Sequence, residues 1–172
     1  IKTNDINKCL NKKNDLSRNN SGGNEKYGNL LIGYLIDSRL YHKITYFKKD
    51  KSHDCFASGE FYIEPNEEFL YKGNVIALIN RASYSATNSF VNALSQIPNV
   101  TLVGDTTGGG GSTPYYYELP NGWILRYSSN KEVRVSDGRL LEKGIPPDHY
   151  IKQEATIQTD NVLDYALSHL NN

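Results

Sequence analysis

The stretch Asn80–Phe90, NRASYSATNSF, sets Ser83, Ser85 and Thr87 on alternate positions directly after the apolar run NVIALI. A strand handing over to a helix needs one capping hydroxyl to satisfy an orphan N–H of the first turn. Three exceed that need. A serine at such a junction is exposed at the sheet edge, near the partial positive charge of a helix N-terminus, which suits a nucleophile. The plainer alternative, that all three are caps, stands beside it.

The elements that must position these residues are legible from periodicity. The run NVIALIN, bounded by Gly73 and Asn80, reads as a strand covered on both faces. A helix follows, with Ala86, Phe90, Val91, Leu94 and Ile97 on one stripe and Pro98-Asn99 as its stop. VTLVGD resumes as a strand, so residues 74 to 104 form a β-α-β unit with a right-handed crossover. Upstream, Tyr27, Leu30, Leu31, Tyr34 and Leu35 recur at helical spacing, giving a helix from Glu25 to Ile36. HKITYFKK and GEFYIEP are two short antiparallel strands, and TTGGGGSTP is a flexible glycine loop. YYYELPNGWILRYSS is a hairpin turning at Pro120-Asn121-Gly122, its tyrosines suggesting a half-buried strand surface, and NVLDYALSHL is a closing helix. Residues 1 to 14 are an irregular lead-in.

Composition narrows the function classes. The 172 residues, 38% hydrophobic, suit one domain with a real core. Nineteen basic residues balance nineteen acidic ones, which argues against a nucleic-acid partner. No apolar run is long enough to span a bilayer. The chain begins at Ile1 and holds no Met, as expected of a processed product or a fragment. Cys9 and Cys55 lack metal-ligand spacing and read as free thiols.

Four stretches fall in a fixed order: DLSRNNSGG, NVIALINRASYSATNSF, VTLVGDTTGGGGS and ELPNGWILRYSS…EKGIPPD. In that order, from Asp15 to Tyr150, the chain resembles the C-terminal processing protease and tricorn core family of serine peptidases. The resemblance implies an α/β, Clp protease/crotonase-like fold of stacked β-α units. It also implies hydrolysis of peptide bonds in extended peptides or unfolded proteins, with no cofactor or metal. The middle hydroxyl residue, Ser85, is then the nucleophile, with Ser83 and Thr87 as cap and packing residues. The resemblance assigns one oxyanion donor to the backbone of Ala86 and the other to the Gly22-Gly23 pair, where glycine allows close approach of substrate.

The general base distinguishes branches of the family. Many members carry a lysine after the next strand, and here that position is Gly110. The chain therefore resembles the tricorn-like branch, in which a histidine base is supported by a serine and a glutamate. Glu142, before the Gly-x-x-Pro-Asp turn, falls near the place of that glutamate, within one position of it, and a carboxylate there would orient the histidine and stabilise its cation. In that branch the histidine lies upstream of the Gly-Gly motif, in sequence this chain does not contain. Of His42, His53, His149 and His169, only His149 follows a motif. Where the family has an apolar strand before the Asp-x-Arg-Asn motif, NKKN stands ahead of Asp15.

Two alternatives remain open: a non-catalytic peptide-binding relative of the same fold, and a crotonase-like acyl-CoA enzyme. The nucleophile-position serine and the lack of a basic phosphate site weigh against the latter. Relatives of this kind often work outside the cytoplasm, so an extracytoplasmic location is expected.

Overall fold

In the computed structural model, which describes residues 17–154 and 159–170, the β-α-β unit stands at the centre. We label the strands β1 (Leu40–Lys48), β2 (Phe56–Ile63), β3 (Val75–Ile79), β4 (Val100–Gly104), β5 (Pro114–Glu118), β6 (Ile124–Ser128), β7 (Asn130–Arg134) and β8 (His149–Tyr150). The helices are α1 (Glu25–Gly33), α2 (Ala86–Leu94) and α3 (Asn161–Leu170), with a 3-10 turn at Leu141–Lys143. The lead-in with Cys9 and Asp15 lies outside the described residues, while Cys55 is a free thiol.

β3 and β4 run parallel from Val75 opposite Val100 to Ile79 opposite Gly104, and α2 is their crossover. β8 adds in parallel to the other side of β4. Asp148 locks that addition, because its carboxylate accepts from Leu102 N at 2.8 Å and its own N–H donates to Leu102 O at 2.9 Å. The apolar run of β3 and the stripe of α2 meet as the periodicity requires. Ile79, Val91, Leu94, Ile97 and Leu102 are buried together with Ile32 of α1, Ile63 of β2 and Ile145.

Both forward helices are shorter than their apolar stripes. α1 stops at Gly33 rather than Ile36 because Tyr34 and Leu35 donate three residues back, to Leu31 O and Ile32 O, while the Gly33 and Tyr34 carbonyls accept from Asn66 and Tyr71. α2 stops at Leu94 in the same way, with Gln96 and Ile97 bonding three residues back. A tightened last turn uses the orphan carbonyls and lets the stripe run on past the α-helix.

A second, antiparallel sheet has the order β2-β1-β7. β7 lacks an apolar alternation because its register sets Glu132 against Thr45 on a face that β1 fills with polar groups. β1 is also bulged between Tyr41 and Lys43, so His42 has no partner on β2 and both His42 and Lys43 are buried. The β5–β6 hairpin stands apart from both sheets, turning where Gly122 N bonds Leu119 O. Its tyrosines are not half-buried as expected: Tyr115, Tyr116 and Tyr117 are all exposed.

Candidate functional site

Ser85 sits between β3 and α2 with φ 58° and ψ −124°, a left-handed conformation rare for a residue with a side chain. Such a backbone costs of order 1–3 kcal/mol and persists only where its surroundings impose it. Here they do. Ser85 N donates to Gly109 O at 2.9 Å, Tyr84 N to Asn20 O at 3.1 Å, and Gly108 N to Ser83 O at 2.8 Å. Although it occupies the N-cap position, the Ser85 side chain makes no cap hydrogen bond, so capping does not account for it.

Ser83 has a different task. Fully buried, it accepts from Asn80 N and donates its hydroxyl hydrogen to Ser17 O at 2.7 Å. Asn80 and Asn19 exchange a second pair of bonds, with Asn80 Nδ2 on Asn19 Oδ1 at 2.8 Å. Together these tie the segment ahead of α1 to the turn that holds Ser85. Thr87 is buried in the first turn of α2, and its backbone N–H bonds Tyr84 O.

That tie sets Gly22 against Ser85. A Cβ on Gly22 would lie 2.8 Å from Ser85 Cβ, 2.8 Å from Tyr84 O and 3.1 Å from Ala86 N, and its φ of +109° is glycine territory. Gly22 N is engaged by Asn20 Oδ1 at 3.0 Å. The next residue, Gly23, is open on its Cβ side. Among the described residues, no hydrogen bond is made by the backbone N–H of Gly23 or of Ala86. Gly22, Gly23, Ala86 and Thr87 all line one cleft of about 190 Å³, whose other walls include Tyr27, Leu31 and Phe90, with Glu25 at its polar side.

The glycine loop is a packed part of this site rather than a loose one. Thr107 is fully buried, donating its N–H to Ile145 O and accepting from Ile145 N at 2.7 Å. Each glycine then passes something too close for a side chain. A Cβ would come within 2.4 Å of Arg81 O at Gly108, 2.1 Å of Glu142 O at Gly109, 2.3 Å of the Tyr84 ring at Gly110 and 2.6 Å of Leu141 Cβ at Gly111. The space a side chain at Gly110 would take is therefore filled by the ring of Tyr84.

Glu142 lies in the 3-10 turn on the far side of that loop, its side chain exposed, with Ser112 Oγ at 3.4 Å from its carboxylate. Asn88, buried on α2, fixes the turn by donating to Leu141 O at 3.0 Å and accepting from Thr107 Oγ1 at 2.5 Å. Gly109 thus bridges Ser85, through its carbonyl, and Glu142, through packing. The histidines lie elsewhere. His149 contacts Tyr165 and His169 on α3, with 3.1 Å from Nδ1 to the Tyr165 hydroxyl, and His53 is exposed. His42 is buried under α2, where its carbonyl accepts from Asn92 and Gln96.

One buried feature beside the cleft gave no sequence signal. Lys43, 2% exposed, reaches Glu25, Glu132 and Ser89 from the bulged strand. Burial pushes the Glu25 carboxyl up, but the Lys43 ammonium and Ser89 outweigh it and hold Glu25 below the usual range. For Glu132, burial wins over Lys43 and the carboxyl is held above it.

A strained serine turn, a facing glycine pair and a turn bearing a carboxylate sit together on an α/β scaffold of the Clp protease/crotonase-like kind. Residues 15–151 match peptidase family S41, and the chain belongs to that family. Its fold superposes on a candidate peptidase from Parabacteroides merdae ATCC 43184 with TM-score 0.84 and 34% identity, covering 90% of this chain and 50% of that one. The photosystem II D1 C-terminal processing protease matches with TM-score 0.59 and 19% identity over 79% of this chain and 33% of its own. Mature CPAF complexed with lactacystin matches with TM-score 0.65 and 16% identity, over 76% and 37%. The last two show the shared fold. The chain spans half the length of the Parabacteroides protein.

Proposed function

We propose that this chain is the nucleophile-bearing part of a serine-type peptidase acting on extended peptides. The observation that carries this reading is the strained backbone of Ser85, at φ 58°, with a hydroxyl unused for capping. Structural needs alone would leave a relaxed N-cap there. In the proposed reaction Ser85 Oγ attacks the peptide carbonyl carbon while its proton passes to a base, and the carbonyl electrons move onto oxygen. The N–H groups of Ala86 and Gly23 receive that oxyanion; Gly22 serves by leaving room, since its own N–H is held by Asn20. Collapse expels the amine with the proton from the base, and water releases the acyl group by the same route.

Glu142 orients the base, a histidine supplied by sequence other than these 172 residues, whose four histidines lie elsewhere. The packed Gly110 supports a reading without the lysine. Peptide adds as a strand beside Gly22 and Gly23, a mode that uses main-chain bonds and tolerates varied sequences. Residues 1–172 act as one unit of a larger catalytic domain, at an extracytoplasmic location. No helix among the described residues is long and apolar enough to cross a membrane. The unpartnered donors and free hydroxyl favour the catalytic reading over a peptide-binding relative. The test is labelling by an active-site-directed fluorophosphonate, mapped by mass spectrometry. Label on Ser85, absent from Ser85→Ala and present in Ser83→Ala, is expected; label elsewhere, or none in the longest form of the protein, contradicts the proposal.

A further inference from the structure

The buried charge cluster beneath α2 joins the elements that carry the two oxyanion donors. Lys43 of β1 donates to Glu25 Oε1 at 2.6 Å, to Glu132 Oε2 of β7 at 3.1 Å and to Ser89 Oγ at 3.2 Å. Ser89 in turn donates to Glu25. Glu25 is the first residue of α1 and stands two residues after Gly23. Ser89 lies one turn beyond Ser85 on α2, its N–H on Ser85 O at 3.1 Å. The Gly22-Gly23 segment is thus held at both ends: by Asn20 on the Tyr84 side and by Glu25 on the Lys43 side.

We infer that Glu25, Lys43 and Ser89 are positioning residues that fix the Gly23 N–H relative to Ser85 and Ala86. Resting on the serine-peptidase reading above, this assigns the cluster to oxyanion geometry and not to proton transfer. An ammonium has three donors and no acceptor, and all three N–H directions of Lys43 are committed. It has nothing left with which to take a proton from Ser85. Its side chain is 3% exposed and that of Glu132 10%, whereas Glu25 is 37% exposed and lines the cleft. The pair buried deepest anchors the cluster in the sheet, and Glu25 transmits that anchor to the donor segment. Charge-assisted bonds suit this work because they are short and directional. A donor displaced by a fraction of an ångström loses much of its value at the transition state.

The experiment compares Glu25→Ala, Ser89→Ala and Glu25→Gln with the parent protein in its longest active form, using matched oxoester and thionoester peptides. Lys43 keeps Glu132 in each variant, so folding is retained, and Ser89→Ala leaves that ion pair untouched. Oxyanion donors serve an oxygen anion far better than the larger, weaker-accepting sulfur. Glu25→Ala should lower kcat for the oxoester roughly tenfold, a fraction of the roughly 10²–10³ lost when a donor is removed outright, with KM little changed. The thionoester should lose less, so the oxo-to-thiono ratio collapses. Ser89→Ala should move the same way to a smaller extent, and Glu25→Gln, which keeps the acceptor, should restore most of kcat. Equal losses on both substrates, or parent-like kcat in Glu25→Ala and Ser89→Ala, would overturn the inference. Turnover that survives Ser85→Ala in the same assay would overturn the reading beneath it instead.

Discussion

Acidification should destabilise this protein through His42 before its ion pairs begin to fail. The bulge in β1 buries the ring at 1% exposure, and among the described residues Nδ1 has no hydrogen-bond partner. Burial, reinforced by the neighbouring Lys43 charge and only partly offset by Glu25, holds its pKa down from 6.5 to about 4. The unfolded chain therefore takes up a proton near pH 6.5 that the folded chain refuses until about pH 4. Stability from this residue is full above pH 6.5 and is lost as pH falls through that window. At about 1.4 kcal/mol per pH unit the loss reaches roughly 3 kcal/mol. Glu132, held above the usual carboxylate range, acts with the opposite sign as it protonates. Subtracting the His42→Gln variant isolates the histidine. Urea unfolding of both proteins at several values between pH 7 and pH 4 should show their stability difference shrinking by that amount in favour of the variant. Parallel curves would refute the assignment of His42 as buried and neutral.

Three further outcomes are expected. Gly22→Ala should abolish fluorophosphonate labelling and cost at least about 2 kcal/mol, because its Cβ meets Ser85 Cβ and Tyr84 O at 2.8 Å in a left-handed conformation; labelling at the parent rate would contradict this. Gly110→Lys should lower the melting temperature without raising peptide hydrolysis, since the Tyr84 ring occupies the path of the new side chain; a gain in Ser85-dependent turnover would show that a serine-lysine pair can form. Thr107→Val strands Ile145 N–H and Asn88 Oδ1, two buried partners at 2.7 and 2.5 Å, and should cost about 2 kcal/mol in urea unfolding; a change under about 0.5 kcal/mol would contradict the network.

The β-α-β unit was legible because β3 and the stripe of α2 are apolar at periods that mean one thing. The hydroxyl triplet was legible because a cap needs fewer. The antiparallel sheet was legible only in β1 and β2: β7 faces a polar interior built around Lys43, Thr45 and Glu132, so apolar alternation could not reveal it. For the same reason the charge cluster had no signature. Its four members come from elements that meet only after the bulge at His42 turns two successive residues inward. The glycine run was read as slack because glycine permits motion, whereas here it permits contact, with neighbours at 2.1 to 2.6 Å from each absent Cβ. The exposed tyrosines of the hairpin carry the composition of a half-buried strand but lie on a ribbon outside both sheets.

The central claim is that Ser85 is the nucleophile of a peptidase, and peptide release tests it most directly. The longest form of the protein and its Ser85→Ala counterpart should be matched for fold by circular dichroism and assayed on an unstructured protein substrate. Turnover by the parent that falls to background in Ser85→Ala, with Ser83→Ala retaining part of it, is the predicted result. Equal turnover by the parent and Ser85→Ala would contradict the account, as would an inactive parent that still binds peptide.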